Sequence, residues 1–172
     1  MTENKHSYDR INLNKATLND PSMTYGSNTS LNLIIEILGG FNAIGKKIKN
    51  VLDFLSVTEK GLPIAVLKKV QKKMQFTNRE LGKVLDMSES TLQRRLKLNQ
   101  KLDKKESEST IHLASVWAKG IEVFENEDDF RTWLHTKNTA LGNHAPIALL
   151  HSPIGRDEIK DILCRIEFGI FS

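Results

Sequence analysis

Ser90, Thr91, Gln93 and Arg94 fall within a five-residue window, and their side chains suit the donors and acceptors on base edges. Glutamine offers the paired donor and acceptor that adenine takes, and arginine reaches guanine or a phosphate. Arg79, Lys83, Lys97 and Lys101 surround them as cations suited to phosphate oxygens. Elsewhere the chemistry-bearing types are scattered. His112, His135, His144 and His151 form no HExxH array, and Cys164 is the single thiol, so no metal site and no catalytic residue is expected. Gly39-Gly40 lacks the flanking strand and the downstream Lys-Ser/Thr of a phosphate-binding loop, so no cofactor is expected either.

The elements that must position the base-reading residues can be read from spacing. Thr77 and Glu80 have the capping-box separation, which predicts a helix starting near Asn78 with Leu81, Val84 and Leu85 on its buried side. Asp86-Met87-Ser88 forms a short break, and Ser88 is a good N-cap for a second helix with Leu92 and Leu96 inward. Residues 78–97 thus have the spacing of a helix-turn-helix. Leu81 and Leu92 serve as inward anchors, Met87 fills the turn, and Gly82 permits close approach of the second helix. Asp86 stands where most such turns carry glycine, and Asp tolerates a left-handed backbone better than most residues. The exposed positions of the second helix are expected to be Glu89, Ser90, Thr91, Gln93, Arg94, Arg95 and Lys97. In such a motif the residues near the start of that helix meet the major groove.

Charge divides along the 172-residue chain in a way that supports this placement. Residues 1–45 carry 3 basic and 4 acidic side chains, residues 46–105 carry 16 and 6, and residues 106–172 carry 6 and 11. A basic module is therefore followed by an acidic one, and the two are expected to face different partners. Release of counterions on binding a polyanion favours the basic module as a duplex-DNA binder. Lys68, Lys69, Lys72 and Lys73 read as a solvated helix face. No stretch has the ~18–20 consecutive apolar residues of a membrane span. The polar first 25 residues and the lone cysteine suggest the cytoplasm.

The remaining pattern is helical. Residues 1–28, rich in Asn, Ser, Thr and Asp, read as a flexible arm. Leu31, Ile34, Ile35 and Leu38 predict a helix that stops at Gly39-Gly40, and Phe41, Ile44, Ile48, Leu52 and Leu55 predict one further helix with Val51 beside its stripe. A helix with Ile64, Leu67, Val70 and Met74 inward follows Gly61-Leu62-Pro63. Ser109 or Thr110 is expected to cap a helix running through Trp117 to Phe124. The acidic stretch Glu125, Glu127, Asp128 and Asp129 opens another helix with Phe130, Trp133 and Leu134 inward. Asn138 to Pro146 reads as a loop. A last helix, from about Arg156, buries Ile159, Ile162, Leu163 and Ile166.

Beyond these local patterns, a series of segments occurs in a distinctive order. Leu38-Gly39-Gly40, Gly61-Leu62-Pro63, Asn78–Leu96 and Lys101-Leu102 precede the Leu113–Phe124 helix. After it come Trp133-Leu134, Asn138, Leu141-Gly142, Ala145-Pro146-Ile147, Leu150, Gly155 and Leu163-Arg165-Ile166-Glu167-Phe168-Gly169. From about residue 37 to 172 the chain resembles the Xre–MbcA–ParS antitoxins, which pair with RES-domain toxins. The resemblance implies a Xre-like DNA-binding domain, a C-terminal toxin-binding domain and repression of the chain's own operon. It also implies an NAD-consuming toxin partner whose pocket the C-terminal tail reaches. By position that tail is Glu167, Phe168, Gly169, Ile170, Phe171 and Ser172, with Phe171 the aromatic residue near the end.

The expected molecule is therefore all-α. It has an arm over 1–28, a DNA-binding domain over 29–122 with its helix-turn-helix at 78–97, and a toxin-binding domain over 123–172. A homodimer is expected, because operators read by this motif commonly consist of two half-sites. The residues alone leave a second interpretation open, a stand-alone regulator whose C-terminal half dimerises or senses a ligand.

Overall fold

The computed structural model describes residues 28–170; the expected arm and the expected tail residues Phe171 and Ser172 lie outside this range, apart from Asn28. The order is α1 (Asn28–Ile37), α2 (Gly40–Ile44), α3 (Asp53–Lys60), α4 (Ile64–Met74), α5 (Asn78–Val84), α6 (Glu89–Leu98), α7 (Lys104–Phe124), α8 (Glu127–His135) and α9 (Pro153–Glu167). Two 3-10 turns, Thr139–Leu141 and Pro146–Leu149, lie between α8 and α9. Among the described residues the sole β-type pairing is an isolated bridge between Asn138 and His144. The fold is all-α.

The centre is α7, whose 21 residues are packed by α1, α3, α4, α8 and α9. Leu113, Ala114, Val116, Trp117 and Ala118 are all buried along it. Trp117 meets Phe76 edge-on at 6.0 Å and Phe130 at 5.1 Å, so one indole joins the segment before α5 to α8. Gly120 makes room for this cluster, since a Cβ there would lie 2.1 Å from the Phe130 ring. α7 runs without interruption across the 122/123 boundary expected between domains.

Its start differs from the expectation. Asp103, rather than Ser109 or Thr110, is the N-cap. The Asp103 carboxylate accepts from the Glu106 N–H at 2.8 Å, and the Glu106 carboxylate accepts from the Asp103 N–H at 2.8 Å. This capping box adds a turn and a half before Ser109 and makes Thr110 an interior residue, whose hydroxyl donates to the Glu106 carbonyl. Likewise α9 starts at Pro153 rather than near Arg156, because Ser152 accepts from the Gly155 N–H and Pro153 suits the first helical position. α8 is capped by Asn126, which accepts from the N–H groups of Asp128 and Asp129, with three acidic residues in the first turn.

The single helix expected over Phe41 to Leu55 is in fact two. Gly45, at φ +77°, closes α2 with its N–H on the Phe41 carbonyl, and Asp53 opens the next turn by accepting from the Lys49 and Asn50 N–H groups. The break splits the apolar stripe. Ile44 and Ile48 are buried, while Phe41, Val51, Leu52 and Leu55 are exposed. Of the four lysines on α4, Lys69 donates to the Gly39 carbonyl and Lys73 pairs with Glu127 on α8 at 2.6 Å; Lys68 and Lys72 are exposed. Trp133 is partly buried, packed on Phe130 at 5.9 Å, rather than fully inward.

Candidate functional site

The helix-turn-helix begins from its caps. Thr77 accepts from the Glu80 N–H at 3.2 Å while the Glu80 carboxylate accepts from the Thr77 N–H at 2.8 Å, as the spacing predicts. Ser88 caps α6 by accepting from the Thr91 N–H at 3.2 Å. Between them Asp86 takes the left-handed conformation, φ +56°, expected of the turn. Gly82 is required by close approach, since a Cβ there would stand 2.8 Å from the Met87 carbonyl oxygen, a backbone atom with little freedom to move. The Met87 N–H in turn donates to the Gly82 carbonyl at 2.9 Å. Leu81 and Leu92 are wholly buried beneath this pair of helices.

On the outer side, Ser90, Gln93, Arg94 and Lys97 are all exposed, and their i, i+3, i+4, i+7 spacing places them on one face of α6. Arg79 and Lys83, one turn apart, are exposed on α5, and Lys101 is exposed beyond the end of α6. Thr91 is half-buried, and its hydroxyl accepts from Ser88 at 2.9 Å. Arg95 is a correction, because it is not a solvent-facing position. It turns inward and forms an ion pair with Glu106, whose carboxylate is buried and also caps α7. The pair thereby fastens the exposed helix to the central one. Asp103-x-x-Glu106 was the available signal for it, being a capping-box pattern that also delivers a buried acid.

The other candidate surface is the end of α9. Its last helical residue, Glu167, accepts from Lys119 of α7 at 2.6 Å. Beyond it Gly169 takes φ +65°, and the Ile170 N–H donates to the Arg165 carbonyl at 2.8 Å. Phe168 and Ile170 are 72% and 58% exposed, so neither side chain is docked on the chain's own core. Ile154, at the opposite end of α9, is 76% exposed and carried no sequence signal of it. Of the four histidines, His112 and His151 are brought to one cavity, and among the described residues no group of three or more His, Cys, Asp and Glu stands close enough to hold a metal ion. No helix of the described residues is long and apolar enough to cross a membrane.

The family model of the antitoxin Xre-like helix-turn-helix domain matches residues 53–115, and that of the antitoxin Xre/MbcA/ParS C-terminal toxin-binding domain matches residues 119–169. The chain belongs to the Xre–MbcA–ParS antitoxin family. The first match encloses the whole of the α5–α6 motif, and the second runs from the latter part of α7 to Gly169. Residues 28–52, with α1 and α2, lie outside both and still supply Leu31, Ile35, Leu38, Ile44 and Ile48 to the core. Among solved structures, the M. tuberculosis MbcT-MbcA toxin-antitoxin complex contains a chain similar to this one at 20% identity. The similarity covers 72% of this chain and 99% of that chain, with a TM-score of 0.45. No curated protein matches the chain.

Proposed function

We propose that this antitoxin neutralises a RES-domain, NAD-consuming toxin through its C-terminal tail and represses its own operon through the α5–α6 motif. The observation that carries the first half is the exposed pair Phe168 and Ile170, apolar side chains at the very end of a toxin-binding domain. Each gains by leaving water, and an aromatic anchor seated in a pocket is the usual centre of a tight protein interface. Glu167 through Ser172 act together, with Phe168, Ile170 and Phe171 entering the toxin pocket. The Lys119–Glu167 ion pair sets the direction in which they leave α9.

For the second half, Ser90, Thr91, Gln93 and Arg94 read base edges while Arg79, Lys83, Lys97 and Lys101 hold phosphates. The shared exposed face of α6 supports this division. Two copies bind the two halves of an operator, with the motif of each in one major groove. The acidic C-terminal region stays off the phosphate backbone, facing the toxin.

Co-expression with the partner toxin tests the tail mechanism. Deletion of residues 167–172 is expected to abolish protection of cells while the truncated chain remains folded. Full protection by the truncated chain would refute the tail's role.

A further inference from the structure

Between α5, the first half of α7 and the start of α9 lies a cavity of about 370 Å³ that shares only Lys83 with the candidate surfaces. Among its lining residues is Arg156, only 4% exposed. One of its guanidinium nitrogens, Nη1, donates to the Leu150 carbonyl at 2.7 Å; among the described residues its Nε is buried with no partner, and no carboxylate lies within ion-pair distance of it. A buried guanidinium ordinarily has an anion against it, because the charge otherwise loses its hydration without replacement. Lys83, Ser109, His112 and His151 also line the cavity and supply further donors.

We infer that this cavity binds a single phosphate-class oxyanion, with the Arg156 guanidinium as its principal donor and the Lys83 ammonium at its mouth. A planar guanidinium with free N–H groups matches two phosphate oxygens at once. The other charges of the lining restrict what enters. Asp86 is neutralised by Lys105 at 3.1 Å, leaving Glu108 and Asp157 as unpaired carboxylates on a half-buried and an exposed position. These oppose a crowded polyanion at the rim while a single oxyanion reaches Arg156. The charge of Arg156 is also felt by its neighbours. His112 is held below the usual imidazole value, first by partial burial and then by the charges of Lys160 and Arg156. Lys160 is lowered chiefly by burial, with Arg156 adding to it.

The Nε–Hε resonance of Arg156 reports on the site as part of the guanidinium proposed to hold the anion. In the full chain, assigned through bond connectivities, it is followed while inorganic phosphate is added against chloride at matched ionic strength. The expected result is a saturable shift of the Arg156 signal in the millimolar range, with the exposed Arg79 and Arg94 signals drifting without saturation. Glu108→Gln and Asp157→Asn remove repulsion at exposed or half-exposed positions that do not threaten folding, and each should tighten phosphate binding by about threefold. An Arg156 signal that does not saturate, or variants with an unchanged midpoint, would overturn the site. A short DNA duplex, free of inorganic phosphate, distinguishes the sources. A shift at concentrations far below those needed for phosphate identifies the DNA backbone as the ligand, and a shift with phosphate alone identifies a free phosphate or small phosphate ester.

Discussion

The outer face of α6 and the end of α9 both point into solvent, and they are built in opposite ways. The α6 face is made of Ser90, Gln93, Arg94 and Lys97, side chains that lose nothing by standing in water, and it is braced from behind by the wholly buried Leu92 and the Arg95–Glu106 pair. The end of α9 exposes Phe168 and Ile170, whose hydration is unfavourable. The first surface is complete in the isolated chain, and none of its side chains needs a partner to shield it from water. The second is left incomplete, and only burial by a partner recovers the transfer free energy, roughly 1.5–3 kcal/mol for a large apolar side chain. A rigid polar surface and an unfinished apolar one therefore imply different kinds of recognition on one scaffold.

The contrast can be broken most severely behind α6. Glu106→Leu removes one half of the capping box of α7 and leaves Arg95 half-buried without its partner, an expected loss of ~3 kcal/mol in chemical denaturation. If α6 is a rigid reader, DNA affinity should fall in the same variant at temperatures where it remains folded. Unchanged stability would show that the pair is no brace. At the other surface, Phe168→Ala with Ile170→Ala should leave the melting temperature almost unmoved, since both side chains are exposed, yet cost ~2 kcal/mol or more in toxin affinity by calorimetry. Destabilisation of the free chain would mean that the tail is docked after all.

Smaller effects separate the roles within α6. Gln93→Ala and Arg94→Ala should each weaken operator binding by ~1–3 kcal/mol, whereas Lys83→Ala or Lys97→Ala should lower affinity for all sequences and reduce the salt slope by about one. Equal losses on operator and random duplex for Gln93→Ala would remove it from base reading. Smallest is the turn before α3. The Lys49 N–H, then the Asn50 N–H and the charge of Lys46, hold the Asp53 carboxyl below its usual value. Because the folded value is the lower one, the contribution is present above about pH 4 and is lost as pH falls through the folded value. Asp53→Ala should thus be slightly less stable than the parent at neutral pH, with the difference closing in acid. A difference that persists at low pH would assign the effect to helix propensity instead.

Local signals in the chain were enough for the helix-turn-helix. The Thr77–Glu80 box, the Ser88 cap, Asp86 in the turn and Gly82 at the close approach all act within a few residues, and each occurs where the spacing places it. The helix starts at Asp103 and Ser152 were also written locally, though apolar periodicity pointed to later positions. What periodicity could not show was which apolar residues the core would accept. Leu52 and Leu55 share a helical stripe with Ile44 and Ile48 on paper, and a glycine cap with an Asp53 turn separates them in space, while Phe41 is exposed on the same short helix that buries Ile44.

By itself, then, the order of residues determined the helical class, the position of the helix-turn-helix, and the division of a modest net charge of +4 into basic and acidic regions. Capping, periodicity and charge are short-range properties, and they survive any arrangement of the helices. Tertiary structure alone decided that Arg95 faces Glu106 rather than solvent, that Phe168 and Ile170 stay undocked, and that Arg156 lies buried without a counterion among the described residues. Each depends on what another helix brings to the same place. Arg95 meets its acid across 11 residues, and Arg156 lies at a junction of segments some 70 residues apart in the chain, from Lys83 to Arg156.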